Sequence, residues 1–188
     1  MDWDAVKNDT YYRGRKLESD ARNDSDMDKW EEYAELKILK GSHTLGINGY
    51  MNAAALSEAG KDIDTAVSYY EKALSTAIRV KYKDLVVILG YKIALLHEKR
   101  KEWDKCIAVY EQVAEFCDMQ GEHFLAADAY EHAAEMTVMS GKDAADYTKP
   151  IDLWERNIVH WEEEDHLHDA VWSKEHIELY KKMIGIKK

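Results

Sequence analysis

The stretch His160 to Asp169, HWEEEDHLHD, is the densest collection of metal-capable side chains in the sequence. Glu163 and His166 are three residues apart, which projects both from one face of a helix. Di-iron bundle proteins present their ligands with that spacing. His160, His166 and His168 could also take a transition metal through imidazole nitrogen. A di-iron centre, however, needs a second Glu-x-x-His and further carboxylates on facing helices. No second Glu-x-x-His occurs in the chain. The stretch also falls where the sequence turns before a closing helix. A solvated acidic turn accounts for it, and no cofactor is expected.

Other reactive types read as structural. Cys106 and Cys117 lie on one apolar helical stripe, 11 residues apart. Within a single helix that is about 16 Å, too far for a disulfide. They are expected in the core rather than as nucleophiles. His97 stands at a core position and is expected to be packed and hydrogen-bonded. The sequence has no phosphate-binding glycine loop, dinucleotide fingerprint or nucleophile elbow. The expectation is a protein that is not an enzyme.

Composition narrows the class further. The 188 residues are 46% apolar and 34% charged, a globular mixture with one proline and nine glycines. The net charge is −11. That disfavours nucleic acid and anionic membrane surfaces as direct partners. Any membrane association is expected only at the periphery, through partner proteins. No apolar run reaches the roughly 20 residues of a spanning helix. The acidic opening MDWDAVKND lacks a signal peptide's layout. With two thiols that cannot pair within a helix, this points to the cytoplasm.

The elements that carry these residues repeat. Trp103, Cys106, Ile107, Tyr110, Val113, Ala114 and Cys117 recur at helical spacing. Forty residues earlier stand Ile63, Ala66, Val67, Tyr70, Ala73, Leu74 and Ala77. A further copy at +44 holds Tyr147, Pro150, Ile151, Trp154, Asn157, Ile158 and Trp161, and a weaker one includes Met27, Trp30, Tyr33 and Ala34. A small residue recurs in the preceding helix at Gly14, Ala54, Ala94 and Ala134. Gly41, Lys81 and Gly121 mark turns at the same interval. Pro150 is expected in the first turn of its helix, where proline is tolerated. The predicted units are about 2–41, 42–81, 82–121 and 122–166, with a closing helix 168–185. Units of this kind cannot bury their stripes alone and must stack. The fold expected is all-α, a single helical-repeat domain spanning 1–188 with about nine helices.

Residues 89–113, LGYKIALLHEKRKEWDKCIAVYEQV, resemble a tetratricopeptide repeat. Ala94 matches the small residue of the first helix, Tyr110 matches the aromatic of the second, and Cys106 stands where alanine is usual. The 40-residue period is longer than that family's. The segments AVSYYEKALSTA and WDKCIAVYEQVAEFCDMQGEHFLAADAYEHAAEM resemble the soluble NSF attachment proteins over about residues 50–160. That resemblance implies a right-handed superhelical solenoid of antiparallel helix pairs. It also implies an adaptor binding SNARE proteins and an AAA ATPase in vesicle-mediated transport and membrane fusion. The chain departs from the family in three ways. It is shorter, it ends Ile186-Lys187-Lys188 rather than in a leucine-bearing tail, and it shows no apolar N-terminal loop. These departures put ATPase stimulation in doubt.

Tetratricopeptide proteins line their groove with the first helix of each pair. Transfer of that register gives partner-binding candidates Asn8, Tyr11, Arg15 and Glu18, then Asn48, Met51, Ala55 and Glu58. The third unit gives Ile88, Tyr91, Leu95 and Glu98, and the fourth Asp128, Glu131, Glu135 and Val138. Such a groove would be apolar in the middle and acidic at its far end. It suits a generic scaffold for an amphipathic helix carrying Lys or Arg. It lacks the Lys/Asn set with which some family members hold a C-terminal carboxylate. Tyr91 and Met51 are the expected exposed anchors. Solvated or stacking roles account for the same residues. The remaining alternative is a helical metal-binding protein using His160 to Asp169.

Overall fold

The computed structural model describes the backbone of residues 3–141, 148–163 and 167–186, and side-chain environments over 13–141, 151–155, 158, 159, 162 and 170–182. Among these residues there are nine helices and no strand. They are α1 (Trp3–Asp24), α2 (Met27–Leu39), α3 (His43–Ala59), α4 (Ile63–Arg79), α5 (Lys83–Lys99), α6 (Trp103–Met119), α7 (His123–Met139), α8 (Thr148–Glu163) and α9 (Leu167–Ile186). The all-α, repeat-like arrangement expected from the sequence is present, with helices packed consecutively. The chain divides into two compact units, Met1–Leu89 and Gly90–Lys188, with the division inside α5. In the first unit α1 packs on α2, α2 on α3 and α3 on α4; in the second α6 packs on α7, α7 on α8 and α8 on α9.

The local cause is a turn repeated every 20 residues. Helices α3 to α7 are each 17 residues long and separated by three-residue turns. Gly41, Lys61, Lys81, Lys101, Gly121 and Gly141 hold φ values of +75°, +64°, +57°, +57°, +79° and +75°. At Gly41, Lys61, Lys81, Lys101 and Gly121 the left-handed residue and its successor donate back to two carbonyls of the preceding helix. Lys101 N–H reaches Glu98 O at 2.8 Å and Glu102 N–H reaches His97 O at 3.0 Å. This Schellman pairing satisfies carbonyls that the helix end would leave orphaned. Turns this short make neighbouring helices antiparallel. Cys106 Sγ accordingly donates to Ala94 O, 3.0 Å away across the α5–α6 turn. At helix starts, Asp26 and Asp62 cap through hydrogen bonds from Lys29 N–H and Thr65 N–H at 3.2 and 3.1 Å. Pro150 lies in the first turn of α8, as expected.

The stripe positions are where the core sits. Ala66, Val67, Tyr70, Ala73, Leu74 and Ala77 are buried in the first unit, with Trp30, Tyr33 and Ala34. In the second unit Cys106, Tyr110, Val113, Ala114, Cys117 and Trp154 are buried. Trp103 and Ile107 are half-buried. Tyr147, Pro150, Asn157 and Trp161 belong to the predicted fourth stripe, but their side chains lie outside the described residues. Full burial of a single Val or Leu contributes roughly 1.5–3 kcal/mol. The small register positions Gly14, Ala54, Ala94 and Ala134 are all buried. Two further glycines set how closely helices approach. A Cβ on Gly46 would fall 2.4 Å from Ile38 Cγ1 and 3.0 Å from Ala34 O, and one on Gly90 would fall 2.1 Å from Val113 Cγ2.

Candidate functional site

Helix α7 supplies most of the site. Helix α7 is unusually rich in alanine. Ala126, Ala127, Ala129, Ala133 and Ala134 are buried, which seats the helix deeply among its neighbours. Its wider side chains, Asp128, Glu131, His132 and Glu135, gather on one face. The Tyr91 hydroxyl on α5 donates to Asp128 Oδ2. The Tyr91 ring stands edge-on to Tyr110 at 5.1 Å and to His132 at 5.5 Å, while Tyr110 and His132 stack at 5.2 Å. His132 Nδ1 lies 3.2 Å from Glu135 Oε2. Glu98, Asp128 and Glu135 all act electrostatically on Tyr110.

Tyr91 is therefore half-buried and engaged, not the exposed anchor that its register position implied. The cause is long-range: Asp128 lies 37 residues away and is brought beside it only by packing. Burial first, and then the bond to Asp128, push the Tyr91 hydroxyl far above the usual phenol range. Burial pushes Tyr110 up to about 12. Both rings stay protonated and remain donors.

Glu131 joins α7 to α9. It accepts a hydrogen bond from Tyr180, and His176 Nε2 lies 4.0 Å from its Oε1. His176 Nδ1 is 3.0 Å from the Trp172 carbonyl. A carbonyl only accepts, so that nitrogen carries the proton. Burial raises the Glu131 carboxyl above its ordinary value, and the Glu135 and Asp128 charges add to that, while Tyr180 and His176 oppose it. Beside this acidic face the same helices expose apolar side chains, Leu95 on α5 at 42% and Val138 on α7 at 43%.

The candidates of the first unit differ in exposure. Arg15 and Asn48 are exposed, Met51 is half-buried and Ile88 is 56% exposed. Ala55 is exposed and Glu18 and Glu58 are half-buried. The Tyr33 hydroxyl lies 3.5 Å from Glu18, and the Tyr70 hydroxyl lies 3.4 Å from Glu58. The side chains of Asn8 and Tyr11 lie outside the described residues, as do those of His160, Glu163, His166 and His168. Among the described residues no group of three or more His, Cys, Asp or Glu is placed to hold a metal ion. None of the described helices is long and apolar enough to cross a membrane.

His97 is buried at 4% exposure, with Nδ1 2.7 Å from Glu102 Oε2. Cys106 and Cys117 are buried and are not joined in a disulfide. Burial pushes the Cys106 thiol up to about 11, away from the reactive thiolate. The register missed His132, His176 and Tyr180. His132 could have been found from its place between Asp128 and Glu135 on one helical face. No sequence signal placed α9 beside Glu131. No protein-family model matches the chain, and no curated protein matches it.

Proposed function

We propose that the protein is a non-enzymatic interaction adaptor whose second unit binds an amphipathic basic helix of a partner protein. The observation that carries the reading is the α7 face. Asp128, Glu131 and Glu135, with Glu98 close by, form an acidic field beside the exposed Leu95 and Val138. Glu131 keeps its carboxylate half-buried against the cost of desolvation. A lysine or arginine from a partner would offset that cost, and an apolar ridge on the same partner helix would cover Leu95 and Val138. In its most specific form, resting on the likeness of residues 50–160 to attachment proteins, the partners are SNARE proteins and their AAA ATPase. Two buried thiols not joined in a disulfide fit a reducing compartment, and we place the adaptor in the cytoplasm.

The test is fluorescence anisotropy with a labelled synthetic helix carrying a leucine stripe and lysines, beside the same helix with glutamates. The lysine helix should bind in a salt-sensitive manner, and Glu131→Gln with Glu135→Gln should weaken it by roughly tenfold or more. Leu95→Ser should weaken both salt-sensitive and salt-resistant binding. Equal binding of the two helices, or no loss in the double variant, would refute the reading. Co-sedimentation with assembled SNARE bundles and ATPase tests the narrower form.

A further inference from the structure

We propose that His132 and His176 make the acidic face of α7 a pH-dependent binding surface, which holds a basic partner helix near neutral pH and releases it in mildly acid solution. The inference rests on the reading of that face as the partner site. Two of its three carboxylates already have an imidazole against them. His132 Nδ1 lies 3.2 Å from Glu135 Oε2, and His176 Nε2 lies 4.0 Å from Glu131 Oε1. Imidazole is the side chain that changes charge between about pH 5 and 8. The lysines of a partner stay charged throughout that range.

Neither ring needs to move to take up a proton. His176 Nδ1 donates to the Trp172 carbonyl at 3.0 Å, so the neutral ring turns an unprotonated Nε2 toward Glu131. A proton on that nitrogen replaces a lone pair facing a carboxylate with a donor facing one. His132 donates from Nδ1 to Glu135, since an ionised carboxylate only accepts. Its second proton goes to Nε2, on a side chain that is 37% exposed and so within reach of water.

Carboxylates and aromatic rings surround both imidazoles. His132 stacks on Tyr110 of α6 and stands edge-on to Tyr91 of α5. Asp128 and Glu135 of its own helix and Glu98 of α5 act on the same Tyr110 ring. His176 lies against Trp154 of α8 and Trp172 of its own helix, at 5.7 and 4.0 Å between ring centroids, with Tyr180 one turn further on. Helix α7 faces it with Glu131, which also feels Glu135 and Asp128. With both imidazoles charged, two of the three α7 carboxylates are balanced from within, and a partner's lysines gain little from them. The raised Glu131 carboxyl acts in the same sense, because it too gains a proton as the pH falls.

The test is the anisotropy titration of the full chain with the lysine helix at about pH 7.5 and about pH 5.5, at constant ionic strength. Thermal unfolding at both pH values checks that the parent and each variant are folded. The parent should bind roughly tenfold or more weakly at the lower pH, and the difference should shrink at high salt. His132→Asn with His176→Asn should lose most of that difference. His123→Asn should keep it, since His123 lies 3.1 Å from Asp118 rather than against an α7 carboxylate. Where His176→Asn does not fold, His132→Asn alone decides, and it should reduce the difference several-fold. Absent binding at about pH 7.5 overturns the partner site and this inference together. Equal binding at both pH values, or a difference that survives undiminished in the folded His132 and His176 variants, overturns this inference and leaves the partner site standing.

Discussion

In the first unit, Glu31 on α2 reaches α4 by accepting from Tyr69 at 3.0 Å and pairing with Lys72. In the second, Tyr91 on α5 reaches α7 by donating to Asp128. Both links skip the intervening helix and tie one helix pair to the next. Their environments differ. Lys72 and Glu31 are 43% and 27% exposed at the side chain, whereas Tyr91 is packed between Tyr110 and His132. Apolar stripes hold sequential helices together in both units, while the choice of polar link sets how each seam responds to salt and pH.

The largest expected difference is in stability. Tyr91→Phe removes the donor from a partly buried carboxylate, and unfolding by urea should show a loss of about 1–3 kcal/mol, little changed by salt. Glu31→Gln or Lys72→Met should cost only about 0.2–1 kcal/mol, fading as salt rises, because the pair is solvent-screened. Equal costs, or equal salt dependence, would mean that exposure does not separate the two seams.

The next expected effect lies in the turns that both units share. Lys61, Lys81 and Lys101 hold left-handed backbone where Gly41, Gly121 and Gly141 do so without strain. Lys101→Gly should raise stability by about 0.5–1 kcal/mol in thermal unfolding, and Gly121→Ala should lower it by a similar amount. The opposite sign at either site would show that packing around the turn outweighs backbone strain.

Those turns also explain what the sequence made legible. The stripe from Trp103 to Cys117 and the small positions Gly14, Ala54, Ala94 and Ala134 could be read because helical spacing depends on local geometry alone. The 40-residue period was visible for the same reason, but the 20-residue turn period was masked where lysine replaces the expected glycine. Tyr91 and Tyr50 were not legible as they stand. Burial of Tyr91 depends on Asp128 from another helix, and Tyr50 lies at a position that Gly90 occupies one period later. The recurring aromatic-Glu pairs at Trp30-Glu31, Tyr70-Glu71 and Tyr110-Glu111 share one spacing but not one role. Glu31 bridges to α4, while Glu71 and Glu111 are exposed. The residues one period on from Tyr69 and Lys72 are Val109 and Gln112, which supply no equivalent donor pair.

The smallest signal is also the one that separates the units most sharply, because the two carboxyl groups are shifted from their ordinary pKa in opposite directions. The bond from Lys72 lowers the Glu31 carboxyl. Its contribution is present above the ordinary carboxylate pKa and is lost as the pH falls through the lowered folded value. Burial raises the Glu131 carboxyl. Its contribution is present below the ordinary carboxylate pKa and is lost as the pH rises through the raised folded value. Chemical unfolding across the acid range should therefore find Glu31→Gln increasingly costly relative to the parent as the pH rises from strongly acid toward neutral. Glu131→Gln should become increasingly favourable over the upper part of that range. A neutral side chain at 131 avoids the desolvation of a charged carboxylate, and its carbonyl still accepts from Tyr180. If Glu131→Gln instead destabilises the free protein at neutral pH, the charged form is already compensated internally by His176. In that case no cation from a partner is needed at this position.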